Sequence, residues 1–210
     1  MKTLLTFPVL LAVRTLARVF FRVRCRWIDG EPDDPWSDLR LVVVLHHTSL
    51  FEPIFSAVTP VRFLWAVARR GVVPVATKTW DRRLVGPAFR AMARRPVAVT
   101  RERDPTWDAF LEAAQAPEAL VVIFPEGRMM RPGGLDAQGE PMTVRGGVAD
   151  LLRRIPEGRM LLAYSGGLHH VQAPGDGLPR LFREVSIALE ATSIEAFRDG
   201  LPEATDPDGF

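Results

Sequence analysis

Short, β-branched apolar runs recur along this chain at intervals that leave room for a helix between them. That alternation constrains the fold more than any other feature. Leu41–Leu45 reads LVVVL, and further runs fall at Val61–Val67, Val97–Thr100, Leu120–Phe124, Met160–Tyr164 and Val185–Leu189. A run that is apolar at every position suits a strand covered on both faces, as in parallel sheets. Helix-like stretches lie between several of them, at Leu50–Val58, Val85–Ala93, Thr106–Gln115 and Val148–Arg154. The pattern predicts a single α/β domain over residues 38–192, with a mostly parallel central sheet flanked by helices. Gly30–Asp38 is turn-rich and separates this body from what precedes it. Arg131–Met142 is rich in Gly and Pro and reads as a mobile loop, and residues 200–210 read as a frayed acidic tail.

The net charge of +2 conceals a division. Residues 1–103 carry 18 Lys and Arg against 8 Asp and Glu; the remainder carries 9 against 17. A basic half calls for an anionic partner such as lipid headgroups or nucleotide phosphates. The single cysteine, Cys25, excludes an internal disulfide framework and fits a reducing compartment. Residues 1–28 are expected to form an amphipathic helix. Its longest charge-free run, Thr3–Val13, is shorter than the ~20 apolar residues that span a bilayer. Arg14, Arg18 and Arg22 recur every fourth residue on one face among Leu, Val and Phe. Such a helix would lie in the interface with its cations toward lipid phosphate, making the protein peripheral or monotopic. Packing on the protein's own core is the competing reading.

Two clusters carry possible chemistry. His47 and Glu52 follow the Leu41–Leu45 run directly. Five residues along a helix would leave their side chains about 140° apart. They can meet only if His47 precedes the helix and Glu52 occupies its first turn. Glu52 could then hold one imidazole nitrogen while the other takes a proton from an attacking hydroxyl. Ser49-x-x-Glu52 is also a capping box, which would use the same carboxylate on backbone. The second cluster, Phe124-Pro125-Glu126-Gly127-Arg128, closes another β-branched run. Pro125 ends the ladder, Gly127 permits close backbone approach, and Arg128 could bind an oxyanion.

The order of these clusters resembles the glycerolipid acyltransferase family, whose best-known members acylate lysophosphatidic acid. His47 matches that family's H-x-x-x-x-D histidine, and Gly86 and Arg101 look like its second block. Phe124-Pro125-Glu126-Gly127 looks like its F-P-E-G-T-R-S block. Val144-Arg145-Gly146-Gly147 and Leu161-Leu162-Ala163-Tyr164 resemble the later ones. The likeness spans roughly residues 40–170. It implies His47 as general base, with Glu52 in place of the usual Asp as its orienter. It implies Arg101 on the acceptor's phosphate, Glu126 and Gly127 lining the acceptor site, and Arg128 and Arg145 nearby as substrate-binding residues. It also implies a thioester co-substrate on coenzyme A or acyl carrier protein, a lysolipid acceptor, no metal or other cofactor, and a place on the cytoplasmic face of a membrane. Three departures stand out: Glu52 for Asp, His46 for a frequent Asn, and Arg128-Met129-Met130 where Thr-Arg-Ser is usual. They weaken lysophosphatidic acid as the acceptor more than O-acyl transfer itself, and an amino-acid-containing lysolipid is the alternative.

Other classes fit less well. A metal hydrolase could draw on His46, His47, Glu52, His169 and His170, but H-E-x-x-H spacing does not occur. Ser165 follows an apolar run but lacks the preceding glycine of a nucleophile elbow. No nucleic-acid module is recognisable. A non-catalytic lipid-binding protein explains the basic half and the N-terminal helix without chemistry.

Overall fold

A computed structural model describes residues 2–200 except Leu84, Arg101, Pro132, Pro174 and Gly175. Seven strands form one sheet: β1 (Arg22–Trp27), β2 (Leu39–Leu45), β3 (Gly71–Ala76), β4 (Arg95–Val99), β5 (Leu120–Ile123), β6 (Arg159–Gly166) and β7 (Glu184–Ser193). Their order is β1-β7-β6-β2-β5-β3-β4. Every pairing is parallel except β6 with β7. The expected α/β domain with a mostly parallel sheet is therefore what the chain forms.

The apolar runs divide between two faces because side chains alternate along a strand. Val42 and Val44 of β2 join one core with Leu161, Ala163, Ile187 and Leu189. Leu41 and Val43 join the other with Val121, Ile123, Met160 and Leu162. Helices cover both: α1 (Lys2–Phe20) and α2 (Val61–Arg70) the first; α5 (Pro105–Gln115), α6 (Gly147–Arg154) and α8 (Ile194–Asp199) the second. Short helices α3 (Thr77–Trp80), α4 (Val85–Ala91) and α7 (Leu168–Val171) complete the set, with a 3₁₀ turn at Glu52–Ala57. Leu41, Leu120 and Leu161 are almost wholly buried. Each such side chain contributes roughly 1.5–3 kcal/mol of burial free energy.

Several expectations are corrected. Val61–Val67 is not a strand but most of α2, where Leu64, Val67 and Ala68 are buried at helical spacing. The strand in that region is Gly71–Ala76, which Pro74 disguised. Pro74 is tolerated because β3 pairs with β5 only through Gly71 and Val72, leaving one side of the strand open beyond them. Leu50–Val58 holds a 3₁₀ turn, Glu52–Ala57, rather than an α-helix. The N-terminal helix ends at Phe20, and Arg22–Trp27 form the edge strand β1 instead of continuing it. In its described residues the Arg131–Met142 loop is closed by Arg131 N–H to Leu135 C=O and Asp136 N–H to Glu140 C=O, both 2.8 Å. Residues 201–210, most of the expected frayed tail, lie outside the described residues.

The arginine stripe is also reversed. Arg14 Nε donates to the Thr59 carbonyl at 3.1 Å, and Arg18 Nε to the Ala57 carbonyl at 2.8 Å. Both guanidiniums thus bond carbonyls at the end of the 3₁₀ turn, groups that a helix terminus leaves without partners. The face left outward on α1 carries Leu4, Leu5, Leu16 and Val19, each more than half exposed.

Candidate active site

Strand order decides what meets at the C-terminal rim of the sheet. β2 lies between β5 and β6, so the residues leaving these three strands converge. They are His46 and His47 after β2, the Pro125–Gly127 corner after β5, and Ser165 near the end of β6. Ligands in open α/β sheets characteristically bind beyond such carboxyl ends.

The backbone of His46 and His47 is held on four sides. Glu126 accepts the His46 N–H on Oε1 at 3.0 Å and the His47 N–H on Oε2 at 2.8 Å. Ser165 Oγ donates to the His46 carbonyl at 2.9 Å, and the Met130 N–H to the His47 carbonyl at 2.7 Å. His46 needs this support, since its φ of +62° lies in the left-handed region. Asn, Asp and His enter that region more readily than other non-glycine residues, which accounts for His46 standing where Asn is frequent in the family it resembles.

His47 Nδ1 lies 2.8 Å from Glu52 Oε1. The same oxygen accepts the Thr48 and Ser49 N–H groups, each at 3.2 Å. One carboxylate oxygen of Glu52 thus serves the imidazole and two backbone N–H groups. The capping box is not completed: the 3₁₀ turn has Phe51 as its N-cap and no side-chain cap, and Ser49 Oγ accepts the Phe51 N–H. Because that oxygen acts as an acceptor throughout, the imidazole proton belongs on Nδ1 and Nε2 carries the free lone pair. Glu52 is buried at 6% exposure. The His47 ring packs against Phe124 at a centroid distance of 4.8 Å and keeps 16% of its side chain accessible.

That accessible edge faces a cavity of about 850 Å³. Val42, Val44 and Leu161 of the sheet and Leu10 and Val13 of α1 line its apolar stretch. Phe124, Pro125, Gly127, Arg128 and Arg145 form the wall near His47. Gly127 has φ +61°, and a Cβ there would sit 3.5 Å from Arg145 Cδ, so its backbone conformation rather than space selects glycine. Gly86 has a different reason: a Cβ would come within 2.1 Å of the Trp80 carbonyl oxygen.

Two expected roles look different in place. Glu126, expected to line the acceptor pocket, is buried with both oxygens on backbone N–H groups of the histidine loop. Arg128, expected as an oxyanion ligand, forms an ion pair with the buried Asp136. Asp136 also accepts the Gln138 and Glu140 N–H groups at 2.8 and 2.9 Å. The Glu140 N–H, foremost, holds its carboxyl below the ordinary value against the opposing effect of burial, with help from Gln138 and Arg128. Arg101 lies outside the described residues.

Ser165 and Asp136 were not read as site residues of this kind. Ser165 could have been found from topology: Leu45 pairs with Tyr164 in the parallel register, so the residues that follow are neighbours. Its hydroxyl donates to a carbonyl and has no bond to His47 among the described residues, which does not suit a nucleophile. Among the described residues no group of three or more His, Cys, Asp or Glu stands together as a metal site.

No family model matches this sequence, and no curated protein matches it. Among solved structures it is similar to the 1-acyl-sn-glycerophosphate (LPA) acyltransferase PlsC from Thermotoga maritima. The TM-score is 0.57 at 16% identity, over 93% of this chain and 71% of that one. The chain thus shares its fold with a lysophosphatidic acid acyltransferase from which its sequence differs widely.

Proposed function

We propose that this chain is an O-acyltransferase moving a fatty acyl group from an acyl thioester, on coenzyme A or acyl carrier protein, to a lysolipid hydroxyl at a membrane surface. One observation carries the reading: the Glu52-oriented imidazole of His47 opens onto a large apolar cavity. A base at the mouth of an apolar cavity suits a reaction between a hydroxyl and a long-chain acyl group.

The acceptor hydroxyl would lie against His47 Nε2. As its oxygen attacks the thioester carbonyl carbon, Nε2 takes the hydroxyl proton. The C–S bond then breaks and the departing thiolate receives that proton, leaving an ester and a free thiol. Glu52 holds Nδ1–H throughout and stabilises the transient imidazolium. No covalent enzyme intermediate is required, because the thioester is already activated. The fold-mate acts, by its name, on 1-acyl-sn-glycerophosphate.

Membrane attachment would come from α1, a 19-residue helix with an 18-residue window of mean hydropathy 1.6. With Arg14 and Arg18 bonded to the domain, Leu4, Leu5, Leu16 and Val19 stand outward on it. Attachment on the cytoplasmic side would then rest on apolar burial more than on charge, and salt should weaken it little.

The test is transfer of a labelled acyl group from acyl-CoA or acyl carrier protein to a panel of lysolipids in vesicles. A labelled diacyl lipid from at least one pairing is expected. No product from any pairing would overturn the reading in favour of lipid binding without chemistry.

A further inference from the structure

Among the described residues the large apolar side chain most open to solvent is Leu178, at 86% exposure. Leu181 and Phe182 follow at 45% and 62%, and all three lie on the segment Gly177–Arg183 that leads into β7. The backbone of this segment is bonded to the domain. The Arg180 N–H donates to the Val171 carbonyl at 2.8 Å, and the Phe182 N–H to the Phe20 carbonyl at 2.6 Å. Phe182 sits at φ +60°, a left-handed conformation that bulky side chains rarely adopt. The main chain is thus held in place while the leucine and phenylalanine side chains stand outward.

The Phe182 ring lies 6.1 Å from that of Phe20, the last residue of α1. Leu16 and Val19, at the same end of that helix, are 54% and 59% exposed. Large apolar side chains from two distant parts of the chain therefore gather around the Phe20–Phe182 contact. Arginines flank them. Arg24 takes Glu184 at 2.9 Å and Arg180 takes Asp176 at 3.2 Å. Arg22 and Arg183, joined by a backbone hydrogen bond of 3.1 Å, are exposed and have no ion-pair partner among the described residues. Leucine and aromatic tips with unpaired arginines behind them suit a bilayer surface: the tips enter the acyl-chain boundary and the guanidiniums reach lipid phosphate.

The position in the fold agrees. Ser186, near the start of β7, pairs with Gly166 at the end of β6, and Tyr164 of β6 pairs with Leu45 at the end of β2. The segment therefore enters β7 at the same rim of the sheet from which His47 leaves β2.

We propose that Gly177–Arg183 is a membrane-insertion loop which, with the C-terminal end of α1, docks the His47 rim of the sheet on a phospholipid bilayer. This rests on the membrane-surface part of the reading above and adds a second anchor to α1. A single interfacial helix leaves the domain free to roll about the helix axis; a second point of insertion fixes which edge of the sheet meets the lipid.

The test is co-sedimentation of the full chain with vesicles of phosphatidylcholine and phosphatidylglycerol, for wild type and a Leu178→Ser, Phe182→Ser double variant checked as folded by thermal unfolding. The partition coefficient of the variant should fall about tenfold or more, the scale of withdrawing one to two such side chains from lipid. A second measurement attaches an environment-sensitive fluorophore to Leu178→Cys in a Cys25→Ser background. Its emission should shift to the blue on vesicles, which decides the matter should the double variant not fold. An unchanged partition coefficient in a folded variant, or a label that stays in water on vesicle-bound protein, overturns the proposal and leaves α1 attachment and acyl transfer standing. A wild type that binds no vesicles overturns both the proposal and membrane attachment. A wild type that is dimeric by sedimentation velocity where the double variant is monomeric assigns the patch to a second copy of the chain and also overturns it. None of these measurements needs product formation, so a failure of acyl transfer is detected separately.

Discussion

Glu126 holds His47 by the backbone, accepting its N–H at 2.8 Å, while the neighbouring oxygen takes the N–H of His46. A side chain from the loop after one strand thereby sets the path of the loop after the next. This joins two motifs 79 residues apart into one structural unit.

Replacing Glu126 with Ala leaves the His46 and His47 N–H groups without the carboxylate that accepts them. Each such group costs about 1–3 kcal/mol, so destabilisation of roughly 2–4 kcal/mol is expected. For a chain of this size that corresponds to a fall in Tm of about 4–16 °C, measurable by calorimetry or circular dichroism. Residual activity at low temperature should also fall, since the histidine loop loses its anchor.

Glu52→Gln tests the orienting role separately from the acceptance of backbone N–H groups. The amide oxygen can still accept the Thr48 and Ser49 N–H groups, but the charge that stabilises an imidazolium is gone. The expected loss is about 10–10² in kcat, a part of the ~10²–10⁴ a general base contributes, with KM little changed. Steady-state kinetics decide it; an equal rise in KM would mean that Glu52 serves substrate binding instead.

Gly127→Ala should be costly through φ alone. The left-handed conformation costs an alanine about 1–2 kcal/mol, and the new Cβ meets Arg145 only at ordinary contact distance. Chemical denaturation should show this loss. A neutral result would mean that the corner relaxes to negative φ.

Asp104 gives a pH signature away from the site. It caps α5, accepting the Thr106 and Trp107 N–H groups at 2.9 and 3.3 Å. The Thr100 hydroxyl bond, then that of Thr106, and the backbone N–H bonds lower its pKa to about 2. Because the folded value lies below the unfolded one, its contribution to stability is complete above about pH 4. It disappears as pH falls through about 2. The stability gap between wild type and Asp104→Ala should therefore be constant near neutrality and shrink across that acid window.

How legible this was in the sequence follows from the range of each signal. β2, β5, β6 and β7 are apolar over several consecutive residues, so their cores announced themselves. β1 did not, because an edge strand alternating Arg with Val, Cys and Trp looks like the basic face of a helix. The His47–Glu52 pair was readable because both partners lie in one short segment. Ser165 and the direction of Glu126 were not, because they depend on β2 lying between β5 and β6. The inward turn of Arg14 and Arg18 was hidden for the same reason: periodicity places residues on one helical face without saying what that face meets.

The central claim is that the Nε2 of His47 takes the acceptor's proton. It is tested most directly by the rate of labelled acyl transfer with His47→Ala beside wild type, after both are shown to have the same Tm within a few degrees. A fall of about 10²–10⁴ is expected. A folded variant that forms product at the wild-type rate would contradict it.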